Sequence, residues 1–117
     1  MKTKGAPPDV AKYADMLAAM GAEPRLRIVR LLLSAHPEGL VVTEIQEALA
    51  IPGSTLSHHL EKLKNEDLVV VRREGTFLRY SANTEALRDV IAFLYAECCR
   101  RSKAISADSL AEMCKRC

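Results

Sequence analysis

The feature that most constrains the fold is a change in the spacing of apolar residues near position 68. Before it, apolar residues recur every three or four positions, as in amphipathic helices. Residues 68–73 and 77–82 are instead β-branched or alternating, and Glu74-Gly75-Thr76 separates them, which predicts a β-hairpin. After the hairpin, Asn83 or Thr84 begins another apolar stripe with helical spacing. The chain is therefore expected to be mainly α with a small β-hairpin.

Two helices are predicted near the start of the chain. The first begins at Asp9 and ends at Gly21, where glycine is favoured. The second follows Glu23 and ends before the turn-forming residues 36–39. Residues 40–42 form too short an apolar run to assign.

A second pair of helices defines the fold class. They are predicted over residues 43–50 and 54–66, with Thr43 and Ser54 as N-caps, and the tight turn 51–53 joins them. Two helices joined by a short turn and followed by a hairpin have the order of a winged helix-turn-helix. We expect this fold, with the last helix supplying an apolar surface for dimerisation.

The length and composition bound the organisation of the chain. A chain of 117 residues suits one domain, and its 49% hydrophobic content allows an aliphatic core without disulfides. We expect residues 1–8 to be a tail, residues 9–100 to be the winged-helix and dimerisation domain, and residues 101–117 to be a cysteine-bearing tail. The sequence shows neither a signal peptide nor an apolar run of membrane length, which predicts a cytoplasmic protein without a membrane partner.

Side-chain placement, rather than total charge, indicates DNA as the partner. The formal charge is only +2, which does not by itself indicate nucleic acid. Leu56, Leu60 and Leu63 are spaced to pack inward, which leaves small hydroxyl and imidazole groups facing outward near a helix N-terminus. His59 lies beside these leucines and is predicted to be partly packed rather than a contact. The candidate DNA-binding residues are Ser54, Thr55, Ser57, His58, Lys62 and Lys64 on the helix and Arg72, Arg73 and Arg79 on the hairpin.

Four cysteines follow the predicted winged helix. They are Cys98 and Cys99, which are expected to end the last helix, and Cys114 and Cys117. Thiolates select soft ions, so all four are candidate ligands, although neighbouring residues diverge by about 100° around a regular helix. A four-thiolate zinc or cadmium site, thiol redox or persulfide chemistry, and inert cysteines are the alternatives. The terminal Cys-x-x-Cys lacks the strand-to-helix setting of a catalytic one, so no enzyme activity is expected.

Several of these segments together resemble the ArsR/SmtB family of bacterial metal-responsive repressors. The segments are Glu-Pro-Arg-Leu-Arg-Ile at 23–28, Ser-Thr-Leu-Ser-His-His-Leu at 54–60, Leu-Val at 68–69 and Arg-Glu-Gly at 73–75. The resemblance covers roughly residues 13–99. It implies a homodimer that represses an operon for metal or metalloid resistance and leaves its operator DNA when the inducer binds.

The resemblance also bears on the inducer. Residues 40–45 lack the Cys-x-Cys of one common family site. The family's zinc site needs Asp and His on the last helix with a distal His and Glu, and no His lies beyond His59. The vicinal Cys98-Cys99 pair resembles an arsenite-responsive subgroup, with Cys114 or Cys117 as a further ligand. This implies As(III) or Sb(III), or an organoarsenical, as the inducer, and no cofactor for DNA binding itself. The expected dimer surface combines Leu87, Val90, Ile91 and Leu94 with Val10, Tyr13 and Leu17.

Overall fold

A computed structural model describes residues 10–98 and contains five helices and three strands in that range. The elements are α1 (Val10–Met20), α2 (Glu23–Ser34), β1 (Leu40–Val41), α3 (Val42–Leu49), α4 (Gly53–Asn65), β2 (Val69–Glu74), β3 (Phe77–Ala82) and α5 (Thr84–Tyr95). The expected fold, mainly helical with a winged helix-turn-helix, is confirmed. None of the helices within residues 10–98 is both long and apolar enough to span a membrane.

The hairpin belongs to a three-stranded antiparallel sheet in the order β1-β3-β2. The third strand comes from the run that the sequence left unassigned, since Leu40 pairs with Tyr80 and Val41 with Arg79. Gly39 turns the chain into this strand with a φ of 79°, and its amide donates to the Ala35 carbonyl. A two-residue strand is too short to show a period, which is why local spacing did not reveal it.

The core is aliphatic and centres on α4. Leu56, Leu60 and Leu63 are all buried, as the sequence predicted, and they lie among buried side chains of α2, α3 and the segment entering β2. The other fully buried large side chains are Ile28, Leu32, Ile45, Leu68 and Val69. Burying a Leu side chain contributes roughly 1.5–3 kcal/mol, so this cluster fixes how α4 is rotated about its own axis.

The apolar stripe of α1 formed by Val10, Tyr13 and Leu17 is not the face that this helix buries in the core. Met16 and Ala19 are buried, whereas Val10 and Leu17 remain exposed. Tyr13 of the same stripe stacks on Phe93 of α5, with ring centroids 4.3 Å apart. Through Tyr13, this stripe therefore contacts α5 as well as the core.

Three predicted helix ends are wrong. Thr43 is not an N-cap, because α3 starts one residue earlier and the Val41 amide donates to the Glu44 carboxylate at 3.0 Å. Ser54 is not a cap either, since α4 begins at Gly53 after Pro52 without a side-chain cap. The last helix ends at Tyr95, before the cysteines that were expected to terminate it. Asn83 does cap α5, by accepting from the Ala86 amide at 3.2 Å.

Replacing Gly39 by alanine is expected to destabilise the protein far more than replacing Gly75. Both glycines have positive φ, 79° and 63°. A Cβ on Gly39 would clash with the Tyr80 carbonyl oxygen, whereas one on Gly75 would meet nothing within 4 Å. Gly75→Ala should cost about 1–2 kcal/mol, and Gly39→Ala about 3 kcal/mol or more because β1 must also shift. Urea unfolding at a fixed protein concentration measures both, and equal losses would contradict this role for β1.

Candidate nucleic-acid interface

The α3–turn–α4 unit presents α4 at the protein surface. Ala50 closes α3 in the left-handed conformation, with a φ of 54°, and its amide donates to the Gln46 carbonyl. Pro52 then leads into α4, where the Leu56 amide donates to the Pro52 carbonyl at 2.8 Å. With the three leucines of α4 directed inward, its polar side chains must face solvent.

All six predicted α4 residues are accessible. Ser54, Thr55, Ser57, His58, Lys62 and Lys64 are exposed in the structure. The first two lie in the opening turn, where backbone amides without helical partners favour anions such as phosphate. The exposed face of α4 therefore carries both hydrogen-bond donors and hydrogen-bond acceptors, with two lysines near its end. A surface that contacts DNA bases and phosphates requires both features.

His59 occupies a different environment from His58. It is half-buried, and its Nδ1 lies 3.2 Å from Nη1 of Arg25 in α2. Burial is the main cause that lowers the pKa of His59, followed by electrostatic interactions with Arg25, His58 and Lys62. The packed position predicted for His59 is confirmed, but its arginine partner lies 34 residues away and local spacing gave no sign of it.

The hairpin arginines are not equivalent. Arg72 and Arg79 both donate to Glu74, at 2.7 Å to Oε2 and 2.9 Å to Oε1. Arg79 also donates to the Gly39 carbonyl at 3.2 Å. Arg73 is exposed and pairs across the ladder with Leu78, and within residues 10–98 it forms no ion pair.

Glu74 is held in its charged form by these contacts. The hydrogen bonds from Arg72 and then Arg79 lower the pKa of Glu74 below its ordinary value of 4.5, and the hydrogen bond that Arg79 donates to Glu74 raises the pKa of Arg79. The stability that the ionised carboxylate contributes to the fold is fully present above the ordinary pKa of glutamate. It is lost as the pH falls through the lowered pKa of Glu74. The cluster is therefore intact at neutral pH.

Of the candidate metal ligands, only Cys98 lies in the described part of the chain. It is half-buried in the turn after α5, and its amide donates to the Tyr95 carbonyl at 2.9 Å. Cys99, Cys114 and Cys117 lie outside the described residues. Among residues 10–98, no group of three or more His, Cys, Asp and Glu side chains is placed to hold a metal ion.

Comparisons with known sequences agree with this geometry. A family model described as a helix-turn-helix domain matches residues 20–72. The uncharacterized HTH-type transcriptional regulator MJ1325 of Methanocaldococcus jannaschii is 35% identical over 68% of this chain and 88% of its own length. The transcriptional activator HlyU of Vibrio cholerae is 31% identical over 86% of this chain and 96% of its own length. A cadmium resistance transcriptional regulatory protein CadC homolog of Staphylococcus aureus is 33% identical over 76% and 71%.

Solved structures extend the similarity to the fold. HlyU from Vibrio cholerae superposes with a TM-score of 0.64 at 32% identity, over 80% of this chain and 99% of that one. A possible transcriptional regulator for arsenical resistance gives 0.61 at 28% identity, over 70% and 82%. The homodimeric winged helix-turn-helix domain Mb0332 of Mycobacterium bovis, a possible ArsR-family regulator, gives 0.59 at 31% identity, over 81% and 94%.

One family assignment follows from the exposed face of α4, the three-stranded sheet and these relatives. The relatives named are transcriptional regulators, and several are matched over most of their length. The chain belongs to the ArsR/SmtB family of winged helix-turn-helix transcriptional regulators, with α3 and α4 as its DNA-binding unit.

Proposed function

We propose that the protein is a homodimeric repressor that binds operator DNA through α4 and releases it when As(III) or Sb(III) binds its C-terminal cysteines. The observation that carries the proposal is the exposed polar face of α4, held in position by Leu56, Leu60 and Leu63. Ser54, Thr55, Ser57 and His58 are the base- and phosphate-reading groups of this face. Lys62 and Lys64 add phosphate contacts at its end.

The dimer surface is formed by α1 and α5. Val10 and Leu17 on α1 and Ile91 and Leu94 on α5 are exposed apolar side chains, and the stack of Tyr13 on Phe93 joins the two helices. Contiguous exposed apolar surface of this kind marks an interaction site. The homodimeric relative Mb0332 supports a second copy as the occupant. A twofold dimer would place two α4 helices in successive major grooves, about 34 Å apart.

In the wing, which is the hairpin formed by β2 and β3, the roles proposed for the three arginines follow from their ion pairs. Arg73 is the arginine available to a DNA phosphate, because Arg72 and Arg79 are engaged with Glu74. Exposed ion pairs of this kind are weak, so DNA phosphates can compete for both guanidinium groups. Glu74 thereby limits how strongly the wing binds DNA of any sequence.

The inducer assignment rests on ligand chemistry and on relatives. Thiolates suit a soft trivalent metalloid, and Cys98 lies in the turn beyond the end of α5, where its own position is not fixed by a regular helix. The relatives include a possible regulator for arsenical resistance and a cadmium resistance regulatory protein. Binding at this end of the dimer helix would change the separation or angle of the two α4 helices.

A thiol redox signal is the second candidate. It is favoured by the similarity to HlyU of Vibrio cholerae, one of whose structures is of the reduced protein, with a TM-score of 0.62 at 33% identity. Cys98 is followed by a second cysteine and then by Arg100 and Arg101, and positive charge favours the reactive thiolate. Zinc or cadmium bound by four thiolates is the remaining alternative among inducers.

Leu94→Glu is expected to convert the protein to a folded monomer that has lost its operator affinity. Leu94 is 55% exposed, so the charge is tolerated in one chain but not between two apolar surfaces. Affinity for a two-half-site operator should fall by about 100-fold or more. Leu33→Glu is the matched control, since Leu33 is 41% exposed on α2, outside both the hairpin and the assigned dimer surface. Sedimentation equilibrium and fluorescence anisotropy measure the two effects, and a dimeric Leu94→Glu protein would contradict the assigned surface.

Glu74→Gln is expected to strengthen binding to DNA of unrelated sequence. It releases Arg72 and Arg79 and removes a negative charge, so the slope of log K against log salt should steepen by about 1–2. Glu85→Gln, an exposed carboxylate at the start of α5, removes the same charge away from the wing and should leave the slope unchanged. Equal slopes for the two variants would show that Glu74 does not restrain the wing.

Arsenite and antimonite are expected to dissociate the complex with the DNA upstream of the protein's own gene. A coupling of about 1–3 kcal/mol would lower DNA affinity about 5- to 150-fold. Cys98→Ser and Cys99→Ser should each abolish the response without weakening DNA binding, and Ser102→Ala should respond normally. Anisotropy titrations with zinc, cadmium and peroxide complete the set. If only peroxide dissociates the complex and a reductant restores it, the signal is thiol oxidation and not a metalloid. If only zinc or cadmium dissociates the complex, the inducer is a metal ion bound by thiolates.

A further inference from the structure

One arginine side chain joins three helices next to the DNA-reading surface. Arg25 begins in α2, and its Nη1 lies 3.2 Å from Nδ1 of His59 in α4. Its Nε donates to the carbonyl of Ala19, in the last turn of α1, at 2.5 Å. Arg25 and His59 are both half-buried. The guanidinium is thus anchored at one edge by α1 while another of its nitrogens meets the ring of His59.

The chemistry of this contact fixes the protonation state of His59. A guanidinium group only donates hydrogen bonds, so Nδ1 of His59 must accept, and the ring proton must be on Nε2. The titratable groups that act on the ring are Arg25 of α2 and His58 and Lys62 of α4, and each interaction opposes a second proton. Burial acts in the same direction and is the largest cause of the lowered pKa of His59.

The contact also fixes where the Nε2 proton is directed. The two nitrogens of an imidazole ring are separated by one carbon and form hydrogen bonds in diverging directions, so with Nδ1 turned toward Arg25, Nε2 points in another direction. Within residues 10–98 no acceptor bonds to Nε2. His59 directly follows His58 on the helix whose exposed face reads DNA, and it is itself only half-buried. A hydrogen-bond donor of fixed direction is therefore left at the edge of that face.

We propose that Arg25 is a positioning residue that holds His59 as a neutral Nε2–H donor to a phosphate of the DNA backbone. A neutral donor adds affinity without displacing a counterion, unlike the lysines of the same helix. The proposal rests on α4 being the helix that contacts DNA and is independent of the inducer. It also gives Arg25, which lies outside the helix-turn-helix, a defined part in binding.

The first test uses the unmodified protein without DNA. Nitrogen-15 NMR of the histidine side chains at neutral pH should show His59 neutral, with Nδ1 unprotonated and the proton on Nε2. In Arg25→Gln the pKa of His59 should rise, and both tautomers should be populated. Arg27→Gln is the matched control, because Arg27 lies in the same helix but pairs with exposed Glu23 at 2.7 Å. A charged His59, or a proton on Nδ1, in the unmodified protein would overturn the proposal.

The second test measures DNA affinity across a range of salt concentrations. His59→Asn keeps an acceptor near the Nδ1 position but removes the distal donor, so it should weaken binding by about 3- to 10-fold, the worth of one net hydrogen bond. The slope of log K against log salt should stay unchanged. Arg25→Gln should weaken binding by a similar factor, and Arg27→Gln should leave it unchanged. A protein with both Arg25→Gln and His59→Asn should have an affinity no lower than that of the single variant that binds less tightly.

The outcomes separate this proposal from its rivals. A slope lowered by about 1 in Arg25→Gln but not in Arg27→Gln would mean that Arg25 itself contacts phosphate. Additive losses in the double variant would mean that the two residues act independently. Failure of the unmodified protein to bind its upstream DNA would refute the proposed repressor function, whereas the tautomer of His59 tests the Arg25 contact separately. Circular dichroism identifies any variant that does not fold, and the measurement on the unmodified protein decides in that case.

Discussion

The burial of three leucines on α4 is the constraint on which the rest of the structure depends. Leu56, Leu60 and Leu63 lie on one side of the helix and are almost completely removed from solvent. Rotating α4 by one residue, about 100°, would expose this apolar surface and bury polar groups instead. The same packing that stabilises the domain therefore determines which side chains can face DNA.

Charge in this protein acts through its arrangement rather than its amount. The formal charge is only +2, yet the arginines near the DNA-reading surface have distinct surroundings. Arg72 and Arg79 share the two oxygens of Glu74, Arg25 is turned to His59, and Arg73 is exposed without an ion pair among the described residues. Counting basic residues would treat all four alike, although their surroundings in the structure differ.

Local spacing predicted the helices, the hairpin and the inward leucines because each depends on neighbours within one or two turns. It failed at the helix starts, where Glu44 caps α3 from inside the helix and α4 begins without a side-chain cap. It could not reveal the contacts of Arg25 with His59 or of Arg79 with Gly39, which join residues 34 and 40 positions apart. Such contacts follow from tertiary packing, and no period in a single sequence encodes them.

The stack of Tyr13 on Phe93 has a consequence for the order of events during synthesis. The two rings come from the first and last helices of the described fold and meet at 4.3 Å. A chain emerging from the ribosome exposes α1 and the complete helix-turn-helix before Phe93 has been added and has left the exit tunnel. The combined α1–α5 surface is therefore completed only after the helix-turn-helix has emerged, so two copies are expected to pair through it only once Phe93 has left the ribosome.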